Sequence, residues 1–156
     1  MSEKRQGIKR HEALHPLSHH HTQALFIALK LKQVGTEKSK FSIGEVKQDV
    51  QDFWETEGNE HFREEEEILL TAFAQYASIE RPEIEEMLLE HVKIRAQMDT
   101  LLQKEEIDIS LMNDLGVLLE SHIRKEERII FPMIEEALPE EKLQELKFYL
   151  HINNEE

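Results

Sequence analysis

A histidine and a glutamate four residues apart, set inside an apolar helical stripe, occur twice in this chain of 156 residues. In the first stretch Val46, Val50, Phe53, Glu57, His61, Glu65, Ile68 and Ala72 recur at three- and four-residue steps. In the second, Leu111, Leu115, Leu118, His122, Glu126, Ile129 and Met133 do the same. On an α-helix this spacing gathers residues on one face, so His61 with Glu65 and His122 with Glu126 are expected to point inward. Ionisable groups buried there are costly unless something compensates them. Two inward His/Glu pairs suggest one metal site shared between helices.

The remainder of the chain supplies the other walls of such a site. Five glycines, four prolines and no two-residue apolar alternation argue against a sheet. Pro16-Leu17-Ser18 opens helix A, about 17–34, which ends near Gly35. Ser42 with Glu45 forms a capping-box pattern that opens helix B, running to about Tyr76. Pro82 starts helix C, whose stripe Ile84, Met87, Leu88, His91, Ile94, Met98 and Leu101 again contains a histidine. Asp108 or Ser110 caps helix D, which runs to about Ala137 with a bend at Pro132, and Pro139 begins a short last helix, 139–151. The expected fold is all-α, an up-down-up-down antiparallel four-helix bundle with a short C-terminal helix. Residues 1–13 are read as a flexible N-terminal arm and 14–151 as one bundle domain.

Composition excludes several functions. The net charge of −14, without a concentrated basic patch, disfavours nucleic acid. No cysteine is present, so thiolate ligands, cysteine nucleophiles and disulfides are ruled out. No apolar run approaches the roughly 20 residues that span a bilayer, and Met1-Ser-Glu-Lys-Arg lacks the apolar segment of a secretory signal. The expectation is a soluble, cytoplasmic protein without a membrane partner.

The inward candidates are His20 or His21 from helix A, His61 and Glu65 from B, His91 from C, and His122 and Glu126 from D. Imidazole and carboxylate donors without sulfur suit iron, manganese, zinc or copper, and two carboxylates able to bridge favour a dinuclear iron centre. The ferritin-like alternative places Glu three residues before His. Here those positions are Gly58, Leu88 and Leu119, so that pattern is absent at all three histidines. The metalloprotease pattern of two histidines four apart with an intervening glutamate is absent too.

These motifs resemble the hemerythrin-like, or HHE cation-binding, superfamily over about residues 14–137. The likeness is carried by Pro16-Leu-Ser-His-His-His21, His61-Phe-Arg-Glu-Glu65, His91, and His122-Ile-Arg-Lys-Glu126-Glu-Arg-Ile-Ile-Phe-Pro132. By resemblance the metal ligands fall on His21 (or His20), His61, bridging Glu65, His91, His122 and bridging Glu126. Oxygen-carrying members have a second helix C histidine where this chain has Arg95; water, Glu57 or the second helix A histidine could complete the set. The resemblance implies a non-haem di-iron domain, with zinc or manganese as alternative metals, that binds dioxygen or another small diatomic or anion, or senses oxygen, iron or redox state. Two other functions stand beside it. One is an enzyme reducing oxygen, peroxide or nitric oxide with an external reductant; the other is a zinc-stapled or metal-free helical interaction protein, with the histidines serving folding alone.

Each residue also has a plainer explanation. A lone histidine on an apolar face is more often a hydrogen-bonded core residue than a ligand. Glu64, Glu66, Glu67 and Glu127 read as a solvated acidic face, His11, His15, His19 and His151 as solvent-facing, and Arg95 either as a neutralising charge at the site or as a side chain reaching for water. Gly58 is read as thinning the wall near the site.

Overall fold

The computed structural model describes residues 9–150, and every regular element among them is helical. Helix α1 is His15–Gln33, led in by a 3-10 turn at Glu12–Leu14. Helix α2 is continuous from Ile43–Phe53 through Asn59–Glu64 to Leu70–Ala74, and wide π turns at Trp54–Gly58 and Glu65–Leu69 join these pieces. Helix α3 is Pro82–Gln103. Helix α4 runs from Ile109–Lys125 through a π turn at Glu126–Ile130 into Phe131–Ala137, and α5 is the short Glu140–Leu146. The four long helices form the expected bundle, and α5 closes one end.

The local signals act as read. Ser42 Oγ accepts from the Glu45 N–H at 3.1 Å while Glu45 Oε1 accepts from the Ser42 N–H at 2.9 Å, completing the capping box. Of the two candidates at the start of α4, Asp108 is the cap: its Oδ1 accepts from the Leu111 N–H at 3.0 Å. Helix α2 ends at Ala74 rather than Tyr76, and this sets the site level. Glu65 lies nine residues before Ala74 and His91 nine after Pro82 (74 − 65 = 91 − 82 = 9), so the two reach the same height in the bundle. Gly116 lets α1 and α4 close together, since a Cβ there would stand 2.8 Å from the Ala28 carbonyl oxygen.

A polar layer divides the core into two apolar halves. Toward α5 lie Leu17, Leu69, Phe73, Ile84, Phe131, Leu143 and Leu150, and toward the opposite end Leu31, Val50, Ile94, Met98, Met112 and Leu115. Burial of each such side chain contributes about 1.5–3 kcal/mol, so both halves hold the four helices together around whatever the middle contains. Residues 10–13, expected within a loose arm, depart from that reading. Ala13 is fully buried, and the Arg10 side chain is 6% exposed because it pairs with Glu127 and Glu135 and lies over the Phe131 ring. Residues 1–8 of the arm and His151 lie outside the described residues; the last helix, expected over 139–151, ends at Leu146, and residues 147–149 continue it only as a turn.

Candidate metal centre

Six side chains meet in the polar layer. All are buried: His21 of α1, His61 and Glu65 of α2, His91 of α3, and His122 and Glu126 of α4. His21 Nε2 lies 2.9 Å from Glu126 Oε1 and 3.6 Å from Glu65 Oε2, and His61 Nε2 lies 2.7 Å from Glu65 Oε2. On the other side, His91 Nε2 stands 3.1 Å from both Glu65 Oε1 and Glu126 Oε2, and His122 Nε2 stands 2.8 Å from Glu126 Oε2. The donor atoms form two overlapping groups: His21, His61, Glu65 and Glu126, and His91, His122, Glu65 and Glu126. Both glutamates belong to both groups.

Several of these contacts are close without being hydrogen bonds. Among the described residues, His122 Nε2 and Glu65 Oε1 are buried with no properly aligned partner; the Nε2 atoms of His21 and His61, by contrast, are within hydrogen-bond distance of each other at 3.2 Å. Buried polar atoms are nearly always paired. Nitrogen and oxygen atoms converging on common points, some left unsatisfied, form a donor set that fits cations.

The π turns place the two glutamates. Glu65 and Glu126 each open one, their carbonyls accepting from the N–H groups of Leu70 and Phe131, five residues on. The extra residue in such a turn rotates the following helix. Apolar packing can therefore resume beyond a polar residue that has been aimed at the centre.

A family model, the hemerythrin HHE cation-binding domain, matches residues 12–134, which include all six. The chain belongs to the hemerythrin HHE cation-binding domain family. No curated protein and no solved structure matches it. Membership makes cation binding the common property of the domain, and the two donor groups are where this HHE domain could hold metal.

Around these residues lies a further ring of carboxylates, two of which, Glu66 and Glu127, the sequence reading assigned to a solvated face. Glu127 Oε2 accepts from His21 Nδ1 at 2.6 Å, Glu66 Oε2 from His91 Nδ1 at 2.7 Å, and Glu90 Oε1 from His122 Nδ1 at 2.8 Å. Each carboxylate is held in turn by a cation: Arg10 on Glu127, Arg95 with both terminal nitrogens on Glu66, and Lys125 on Glu90. Such partners fix the tautomer and orientation of a metal-binding imidazole. The helical spacing that revealed His61 and Glu65 also puts Glu66 beside them, but only the fold shows that it reaches His91. Glu90, Lys125 and Arg10 carried no signal that sequence reasoning used.

Arg95 stays out of the donor groups, and its side chain is partly exposed. Glu57 also lies outside them, with its carboxylate beside the Gln23 amide. His20 is buried, lacks a partner at Nδ1 and is not among the converging donors, whereas His21 is. His15 and His19 are exposed; His11 pairs with Glu140 at 3.1 Å.

Charge in the layer is balanced internally. Burial disfavours imidazolium, yet hydrogen bonds to Glu126, Glu127 and Glu65 hold the His21 pKa well above its usual value. The nearby carboxylates of Glu126, Glu65 and Glu66 likewise outweigh burial and raise His91 to about 11, and Glu126 with Glu90 raises His122 to about 9. Burial opposes ionisation of Glu126 too, but His122, His21 and His91 hold its carboxyl well below the usual range. His20 is the opposite case: burial and neighbouring His61 push it down to about 4. Protons thus neutralise the carboxylates of the metal-free layer, and metal uptake must displace them.

A small cavity of about 20 Å³, room for one water-sized molecule, touches the layer on the His21/His61 side. Its wall includes His20, Trp54, Glu57, Gly58 and Phe62. Gly58 does more than thin this wall. A Cβ there would sit 2.6 Å from the Trp54 ring, so the glycine lets the indole lie against the helix.

Proposed function

We propose that this HHE domain holds two iron ions, bridged by Glu65 and Glu126, and binds a small diatomic ligand as an oxygen, iron or redox sensor. The observation carrying this reading is the pair of overlapping His₂Glu₂ groups that share both carboxylates. One ion would take His21 and His61, the other His91 and His122. A set of imidazole and carboxylate donors without sulfur accommodates iron, with zinc or manganese as competitors. Two imidazoles per ion leave coordination positions for water or a small ligand, and the cavity beside His61 is of matching size. Iron there supplies reversible exchange of electrons with the ligand. Arg95, where oxygen carriers have a further histidine, favours sensing over transport. No described helix is long and apolar enough to cross a membrane, in keeping with action in the cytoplasm.

The test is optical. Protein loaded anaerobically with ferrous iron should change its near-ultraviolet absorption on exposure to dioxygen or nitric oxide and return on removal or reduction, without sustained consumption of reductant. Continuous turnover under air would favour the enzyme reading; indifference to both gases would overturn diatomic binding.

A further inference from the structure

Arg10 is the one described residue of the N-terminal segment that reaches the polar layer's outer ring. Its Nη2 donates to Glu127 twice, to Oε1 at 3.0 Å and to the backbone carbonyl at 2.6 Å, while Nη1 pairs with Glu135 Oε1 at 3.3 Å. The carbonyl contact has a cause in the chain: Pro132, five residues after Glu127, brings no N–H to the π turn. The other oxygen of Glu127 accepts from His21 Nδ1 at 2.6 Å and from Ser18 Oγ at 2.8 Å. The His11 N–H donates to Glu135 Oε2 at 2.7 Å and the Leu14 N–H to the His11 carbonyl at 3.0 Å, so the segment follows wherever Arg10 is fixed.

We propose that Arg10 is a positioning residue for the metal centre, and that docking of residues 9–14 is coupled through Glu127 to occupation of His21. The inference rests on His21 being a metal ligand, as the proposed function has it. A metal on Nε2 leaves Nδ1–H as the ring's only donor, aimed at Glu127. The carboxylate so fixed is the one that Arg10 grips. Coupling of this kind is reciprocal: what the metal does for the segment, the segment does for the metal. Of the three cations behind the ring carboxylates, Arg95 and Lys125 belong to long helices; Arg10 alone belongs to a segment that could leave.

Cobalt(II) titration of the full chain tests this, because visible absorption reports the ligand field directly, and hydrogen exchange at the Ala13 and Leu14 amides reports docking. Wild-type protein should protect those amides about tenfold more when loaded. Arg10→Ala should bind cobalt about 10–100-fold more weakly with an altered visible spectrum, and Arg10→Lys should recover only part of the loss, since an ammonium cannot fork between carboxylate and carbonyl. Lys147→Ala, which removes one of the two contacts of Glu12 in the same segment and leaves the bond from Gln144, should leave cobalt affinity unchanged. If Arg10→Ala fails to fold, Glu127→Gln serves the same comparison. Wild-type affinity in either variant, equal loss in Lys147→Ala, or amide protection indifferent to cobalt overturns the coupling while the metal site stands. A wild-type chain that takes up no cobalt overturns both.

Discussion

Three histidines of the polar layer and the fourth are held in different ways. His21, His91 and His122 each give their Nδ1 to a carboxylate that a cation secures, whereas His61 Nδ1 is buried without a partner among the described residues. His61 lines the cavity together with His21 and His122, and its ring lies 5.6 Å from that of His20. A backed imidazole is fixed in tautomer and angle and is a stronger base toward a metal. The difference divides the centre into a rigid frame on three helices and a yielding corner on α2, and the yielding corner forms one wall of the cavity that has room for a small ligand.

The largest effect should come from removing what both sides share. Glu126→Ala takes a shared carboxylate from both donor groups and leaves His21, His91 and His122 facing an unfilled place in the core. It should abolish uptake of both metals and destabilise the metal-free protein by about 3–5 kcal/mol, read by elemental analysis and denaturant unfolding. Next, the backing carboxylates can be removed one at a time. Glu66→Ala or Glu90→Ala should weaken metal binding by about 10–100-fold in a metal titration, whereas His20→Ala, beside the unbacked histidine, should change it little. Equal losses in all three would erase the distinction between frame and corner.

The cavity side has its own pH signature. His20 is held neutral in the folded state with a pKa of about 4, against 6.5 for an unperturbed imidazole. Between those values the unfolded chain binds the extra proton, so stability rises with pH and is lost as pH falls from 6.5 toward 4. His20→Phe should remove about 1–2 kcal/mol of that loss, measured by urea unfolding of the metal-free protein at pH 7 and pH 4.5. The smallest structural change should have the most local consequence. Gly58→Ala pushes the Trp54 ring from its place and should slow the response to a diatomic ligand in stopped-flow absorption while metal content stays at the wild-type level.

The converging donors were more legible in the sequence than their supports. His61, Glu65, His122 and Glu126 stand out because a polar residue on an apolar stripe has to be explained, and His91 follows by the same reasoning. The choice between His20 and His21 was not open to that logic, as both lie about equally far from the centre of the α1 apolar face. In the fold it is His21 that enters the layer, stacked on Phe131 with ring centroids 5.2 Å apart, a contact between α1 and α4 that no local pattern encodes. Glu66, Glu90 and Glu127 look like surface acids because periodicity reports which face a residue occupies, not how far a flexible side chain leans inward. Arg10 was illegible for a further reason: its role depends on a carbonyl 117 residues away, and no local pattern encodes that.

The most direct test of the centre is its stoichiometry. Elemental analysis of protein from iron-supplemented cells, beside His91→Ala and His61→Ala variants, counts ions and assigns them to sides. Two bridged sites predict about two irons per chain in the wild type and a loss in each variant. One ion per chain lost equally from both variants, or zinc alone, would contradict the two-iron centre.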